Sequence, residues 1–467
     1  MHVQSVVVLL QSRISETSTN DCESIKEGRT LKATRFRWVI VLLLFIITII
    51  NYVDRSAISY AISDISSVFH LNDAQSGMIL GAFAIGYMIT TFFGGIWVDH
   101  TGARTVLTIS SLLWTLSIGL TGVAVGFVMI YLMRILLGIA EGPNFPAMNR
   151  AVAEWLSKDE RAIALSNSLV SVPLALAIGA PVATQLIIHL SWRGMFIVLG
   201  IVGLIWVPFW YGFFRNRPEQ SAHVNEAELR HIHDGNLDSA AQQSTISHRP
   251  QVTGLWKYLL TSPTLLANDW AFFVFGYYLF FFMTWLPSYL QQQYHLKLAT
   301  VGLFGILPWL LAAVLLWLLG YVSDAILRRT GRLRLARSHP IWITMLLAAV
   351  CILPVIYTHN LTVALIFISL AVGFAMSSNS TFYAVNVDIA KERTGTALGV
   401  MDTFFAIAGF AAPVITGWVV NSTGQYTNAF WLLFILALSA VVAVFFFHKP
   451  DRENLERIAQ GQSSSVH

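Results

Sequence analysis

Charge is what this sequence has least of. Asp, Glu, Lys and Arg make up 12% of its 467 residues, where a soluble domain carries about a quarter. With 55% hydrophobic residues and a mean hydropathy of +0.63, the chain falls outside the soluble and disordered classes and among polytopic membrane proteins. Cysteine is nearly absent: Cys22 in a polar N-terminal tail and Cys351 in an apolar run build neither a disulfide nor a metal framework. His223, His231, His233 and His248 share a polar interval, but no Cys or carboxylate completes a ligand set, so a solvated linker is expected there and no metal. There is no P-loop, nucleophile elbow or zinc motif, and neither soluble interval is large enough for a domain, so an enzyme is not expected. VVVLL near the N-terminus is too short for a signal-peptide core, which leaves the first span to direct insertion.

What is present is a series of apolar runs. Their Gly, Pro and charge punctuation places spans at about 36–60, 75–97, 106–123, 127–150, 162–188 and 194–214, then 264–291, 299–323, 339–358, 361–386, 394–420 and 427–448. The expectation is an all-α polytopic membrane protein of 12 transmembrane helices. It divides into a cytoplasmic tail (1–35), a six-helix bundle (36–214), a linker (215–263), a second six-helix bundle (264–448) and a second tail (449–467). Of the 29 lysines and arginines, all but Arg55, Arg134, Arg193 and Lys297 fall at the tails or the even-numbered loops. That asymmetry puts both termini in the cytoplasm. It also explains the net charge of +4 without nucleic acid as a partner. The lipid bilayer is the expected partner, and the chain is expected to act as a monomer.

The first span breaks its own rule. WVIVLLLFIITII is followed by Asn51, Tyr52, Asp54 and Arg55 before a helix can leave the hydrocarbon. An ion at that depth costs at least about 2.5–3.5 kcal/mol and persists only against a partner or a water-filled cavity. The fourth span carries Arg134 and Glu141 seven residues apart, nearly two turns, hence on one face. Arg134 is the expected counter-ion for Asp54 or Glu141. Burial disfavours an ionised carboxylate and a neighbouring Arg favours it, so a rearranging pair can take up and release a proton; a static ion network is the plainer alternative. Arg55, with its planar fork, suits bidentate capture of a carboxylate, or else is a second partner for Asp54. Tyr52 and Tyr87 offer hydroxyl donors or serve as interfacial anchors, and Asn144, between Pro143 and Pro146, either binds a ligand or caps its helix. On the tenth span Ser378, Asn379 and Tyr383, with Asn386, either read hydroxyls or join helices.

The two halves repeat. Gly95 and Asp99 of GGIWVDHTGART align with Gly320 and Asp324 of GYVSDAILRRTGR, and Glu160-Arg161 and Ala180-Pro181 align with Glu392-Arg393 and Ala412-Pro413 at nearly the same shift. With this topology, Gly95-xxx-Asp99-xx-Gly102-x-Arg104 resembles the signature loop of the major facilitator superfamily. NYVDRSAIS, AEGPNFPA and LSWRGMF are similar to its anion:cation symporter branch, most of all to bacterial permeases for galactonate, glucarate and hexuronates.

The resemblance implies two pseudo-symmetric bundles around a central cavity with alternating access, in the plasma (bacterial inner) membrane. It implies that Asp54 and Glu141, with Arg134, couple protons, so that the proton is the only cofactor-like species. It implies that Arg55 contributes to binding a small anionic substrate, for which Tyr52, Tyr87, Asn144, Ser378, Asn379, Tyr383 and Asp402 are the further candidates offered by the residues themselves, and that the signature loop of Gly95, Asp99, Gly102 and Arg104, with Asp324 as its repeat counterpart, forms a conformational latch. Asp402 departs from the family pattern, in which Asn is common; as a third protonatable group or a hydroxyl acceptor it puts simple transfer of the substrate site in doubt. The expected activity is proton-coupled symport of a sugar acid. An aromatic acid stacked on the tyrosines or Trp285, a drug exporter, and a non-transporting sensor are the alternatives. The seventh span lacks Lys and Arg, which disfavours an organophosphate antiporter.

Overall fold

No breaker interrupts Phe36 to Phe69, and the computed structural model, which describes residues 33–233, 261–390 and 394–451, makes that stretch one helix, α1. It runs past the boundary expected at residue 60. It stops where His70 enters the left-handed region (φ 53°) and Asn72 opens the next helix with a reciprocal capping box to Gln75. The first half continues as α2 (Asp73–Thr101), α3 (Ala103–Thr121), α4 (Phe127–Glu141), α5 (Asn144–Trp155) and α6 (Lys158–Phe213). The second half comprises α7 (Pro263–Tyr294), α8 (Leu298–Phe304), α9 (Ile306–Thr330), α10 (His339–Tyr357), α11 (Leu361–Ser377), α12 (Asn379–Ala390), α13 (Thr394–Thr423) and α14 (Thr427–Phe447).

Among the described residues ten helical segments are long and apolar enough to cross a bilayer, or eleven if α2, bent by 49°, counts as one span. One of the ten, Leu169–Phe213, has 45 residues. At about 1.5 Å per residue it is roughly twice the ~30 Å hydrocarbon thickness. It bends at Ser191, whose φ of 62° lies outside the helical region, so the expected fifth and sixth spans meet at a bend and not at a loop. Arg193 holds that bend to the α3–α4 turn by donating to the carbonyls of Gly122 (3.2 Å) and Ala124 (2.7 Å). The expected fourth and tenth spans are each broken in the middle, at Gly142-Pro143 and at Ser378.

Within the first half α1 packs on α6, α2 on α4, and α3 on both α4 and α6; within the second, α9 packs on α11, α7 on α13 and α14, and α10 on α11 and α14. The halves meet where α2 lies along α13, α6 along α8 and α9, and α1 along α7. α7 has no lipid face: 94% of its apolar window is buried, against 28% for α14. One end of the inter-half seam is shut. A Cβ on Gly417 of α13 would lie 2.9 Å from the Cα of Gly77 on α2, and one on Gly302 of α8 would collide with Thr184 of α6. At the other end the seam is open at its glycines, where a Cβ on Gly95 or Gly399 would meet nothing within 4 Å. Gly95 is therefore not the point of close helix approach in this conformation; its neighbour Gly94 is, against Pro143 at 2.7 Å.

The start of the linker is anchored to the first half instead of being solvated throughout. Arg37 donates to Glu160 (2.9 Å) and to Glu228 (2.9 Å), and Glu228, fully buried, also accepts from the Phe36 backbone and the Thr34 hydroxyl. His223 stacks on Phe36, His231 lies 3.4 Å from Glu160, and His233 bonds Glu219. His248 and the Glu392-Arg393 pair lie outside the described residues. No group able to hold a metal ion occurs among those described.

Burial pushes the Glu160 carboxyl up, but the hydrogen bonds from Arg37 outweigh it and hold the group below the usual carboxylate range. Because it ionises more readily folded than unfolded, its stabilisation is complete above the ordinary carboxylate value, about 4.3, and is lost as the pH falls through the lower folded-state value. Glu160→Gln is expected to destabilise the protein by roughly 1–3 kcal/mol at pH 7, with the deficit closing on acidification below pH 4.3. Thermal unfolding of the full chain across pH checks this.

Candidate functional site

The polar end of α1 meets the break after α4. A side chain at Gly138 would collide with the Phe83 carbonyl of α2, so its absence lets α2 and α4 touch backbone to backbone and brings Glu141, one turn on, beside α1. There Arg55 donates to Glu141 Oε2 from NH2 at 2.8 Å and from Nε at 3.2 Å, and to Asn51 Oδ1 at 3.3 Å. The guanidinium lies over the rings of Phe83 (4.2 Å), Tyr52 (4.6 Å) and Tyr87 (5.0 Å). The Arg55 and Glu141 side chains are 1% and 0% exposed. Drying two ions costs several kcal/mol each, which only good geometry and further contacts repay; each ring contributes about 0.5–2 kcal/mol.

This pairing corrects the expected one. Arg134, the anticipated counter-ion, forms no ion pair among the described residues; its Nε and NH1 bond nothing, and it lies 5.5 Å from the Phe83 ring. It shares a face with Glu141 and its charge reaches that carboxylate, but Glu141 turns to the nearer fork of Arg55. Asp54 is 1% exposed, neither of its oxygens accepts a hydrogen bond, and the charge it feels is that of Glu141, of its own sign. Asn144 opens α5 without capping it, and both atoms of its buried amide are unpartnered. Asp54, Arg55, Arg134, Glu141, Asn144 and Asn51 thus concentrate open donors and acceptors in one buried place, whereas buried polar atoms are ordinarily satisfied.

Across the seam the second half presents Asp402 on α13, which accepts from the Tyr383 hydroxyl at 3.3 Å, and Tyr52, Tyr87 and Tyr383 all lie within reach of its charge. Asn379 Oδ1 is unpartnered. Ser378 is not available: fully buried, it is hydrogen-bonded to Thr344 of α10 at 2.6 Å. Asn386 likewise turns inward, to Phe382 O and Met401. Trp285 packs at the shut end, where it donates to the Pro413 carbonyl and meets Tyr426. Sequence reasoning passed over Phe83 and Asp269. Asp269 is 2% exposed on α7 with Oδ1 unpartnered, and its signal is the one that singled out Asp54, an acid inside an apolar run.

The signature loop lies at the open end. Gly102 has φ 81°, and a Cβ there would strike Asn216, whose Oδ1 accepts from the Arg104 backbone. Arg104 donates to the Tyr211 carbonyl at 2.7 Å, and Asp99 is 3.8 Å from Arg150, so these two do not pair with each other. Asp324 pairs with Arg337 at 2.9 Å, which also holds Asp388. Each of these contacts stays within its own half.

The family model described as Major Facilitator Superfamily matches residues 44–336 and 330–466. A hexuronate transporter of Bacillus subtilis is 31% identical over 88% of this chain and 94% of its own length. A probable sulfoacetate transporter of Cupriavidus necator is 33% identical over 85% and 90%, and a probable galactarate/D-glucarate transporter of Bacillus subtilis is 31% identical over 90% and 93%. Among solved structures, a D-xylose–proton symporter superposes with a TM-score of 0.69 at 16% identity, over 88% of this chain and 97% of that one; at that identity it speaks for the fold alone. Two helical halves, a buried polar site at their seam and a match that spans both identify the chain as a member of the major facilitator superfamily, with sugar-acid transporters among its relatives.

Proposed function

We propose that the chain carries a small organic anion into the cell together with protons, and that the anion is a sugar acid of the aldonate, aldarate or hexuronate kind. The observation that carries the reading is the dry Arg55–Glu141 pair beside an unpartnered Asp54. A substrate carboxylate competes with Glu141 for the same guanidinium fork. Once displaced, Glu141 is an uncompensated buried carboxylate, a cost that taking a proton removes. Binding of the anion and binding of the proton then favour each other, as a symporter requires. Asp54 holds a second proton, and Arg134 balances charge while the pair is open. Tyr52, Tyr87, Asn144, Asn379, Tyr383 and Asp402 meet the hydroxyls. The names of the hexuronate and galactarate/D-glucarate relatives favour the same substrate class. Trp285, packed away at the shut end, leaves an aromatic acid less well served.

The open end carries the Lys/Arg-rich loops, which by the positive-inside rule face the cytoplasm. The described conformation is then the inward-open one, in a monomer of the bacterial inner membrane with both termini inside. Gly95, Asp99, Gly102, Arg104 and Asp324 are the groups that meet when that end closes.

Radiolabelled galactonate, glucarate, glucuronate, hydroxybenzoate and glutamate, presented to proteoliposomes with and without an inward proton gradient, test the substrate class. Gradient-dependent accumulation of one sugar acid is expected; accumulation of none, with no effect of pH, removes the reading. Glu141→Gln is expected to keep substrate exchange without a pH gradient and to lose accumulation driven by one, and loss of both assigns Glu141 a structural role. Arg55→Lys keeps the charge without the fork and is expected to weaken substrate binding on the order of 100-fold, the scale of a truncated buried charge contact; unchanged affinity in equilibrium binding takes Arg55 out of the site.

A further inference from the structure

Toward its open end the seam carries fixed cations on one wall only. In the first half Arg55 lies on the rings of Phe83 and Tyr87 of α2. In the second half, α7, α12 and α13 contain no Lys, Arg or His along their whole lengths. What α13 presents is an acid, and its neighbour Gly409 fixes which way that acid points. A Cβ on Gly409 would sit 3.2 Å from the Cβ of Ala84 on α2, the residue after Phe83. Asp402 precedes Gly409 by nearly two turns and so projects from the same, α2-facing side of α13, about 10 Å nearer the open end at 1.5 Å per residue. Gly399, one turn further, faces open space.

The Asp402 carboxyl is half-buried, accepts from the Tyr383 hydroxyl at 3.3 Å, and forms no ion pair among the described residues. An ionised carboxylate only accepts, at about four lone-pair positions, so after Tyr383 there is room for the hydroxyl of a ligand. Asn379 Oδ1, also unpartnered, adds another acceptor on α12. This wall therefore suits a group that donates and offers no counter-charge to one that is anionic. Arg134, the other arginine of the site, does not make up for this. It is 2% exposed and lies nearly two turns before Glu141 on α4, toward the shut end.

We propose that Asp402 limits the substrate to one carboxylate: the chain accepts aldonates and hexuronates and rejects aldarates, which carry a carboxylate at each end. Arg55 takes the single carboxylate, and Asp402 accepts from a hydroxyl toward the far end of the sugar. An aldarate in the same pose sets its second carboxylate against Asp402, where like charges repel strongly. One of those two carboxyls must then take up a proton before both fit, a cost the monoacid never meets. Selection comes from a repulsive element and not from a better contact. The inference rests on the proposed carriage of sugar acids and narrows it.

Initial uptake of labelled glucuronate, galactonate and glucarate into proteoliposomes of the full chain, under one inward proton gradient, tests this. The wild type is expected to prefer a monoacid to glucarate by about 100-fold, the scale of a like-charge contact. Asp402→Asn keeps the shape and removes the charge. Its glucarate uptake is expected to rise and its monoacid uptake to fall, so that the preference narrows by about tenfold or more; a merely structural role lowers both together. Asp402→Glu keeps the charge and is expected to go on rejecting glucarate. Wild-type uptake of glucarate at the rate of a monoacid, an unchanged preference in Asp402→Asn, or admission of glucarate by Asp402→Glu overturns the selection and leaves sugar-acid carriage standing. Uptake of none of the three by the wild type removes the reading on which the inference rests, and the inference with it.

Discussion

An ion inside a membrane must find its opposite, and in this chain that requirement is met by one contact, Arg55 on Glu141. The helix break at Gly142-Pro143, the bare backbone at Gly138 and the aromatic bed of Tyr52, Phe83 and Tyr87 all serve to bring that contact together in the dry interior. The contact is costly to dry and costly to break, and so is strongly coupled to anything that replaces either partner.

The two halves handle charge differently despite their common topology. The first balances two acids against two arginines, all buried. The second holds Asp269 and Asp402, and neither forms an ion pair with Lys, Arg or His among the described residues. α7, the helix most deeply enclosed in protein, carries one of these acids and so places it where neither lipid nor bulk solvent screens it.

The polytopic class, the doubled architecture and the burial of Asp54, Arg55 and Glu141 were legible because depth in an apolar run is a property of local sequence. The partner of Glu141 was not, since it depends on how closely α2 lets α4 approach α1, and that is decided by Gly138 against the Phe83 carbonyl. Ser378 reads as a cavity hydroxyl by its polar neighbours, yet Thr344, on a different helix, takes it. Gly95 and Gly94 are adjacent in the same motif and only the packing of Pro143 tells them apart. Asp269 is as visible as Asp54, an acid inside an apolar run.

The breaks in the expected fourth and tenth spans fall at matching places in the two halves, so that α5 and α12 are short rods hung from longer ones by a few residues of weakened backbone bonding. Such a joint bends where a continuous helix resists. Each bundle therefore contains an elbow just beyond its polar centre, with Glu141 and Asn144 on either side of one and Ser377 and Asn379 on either side of the other.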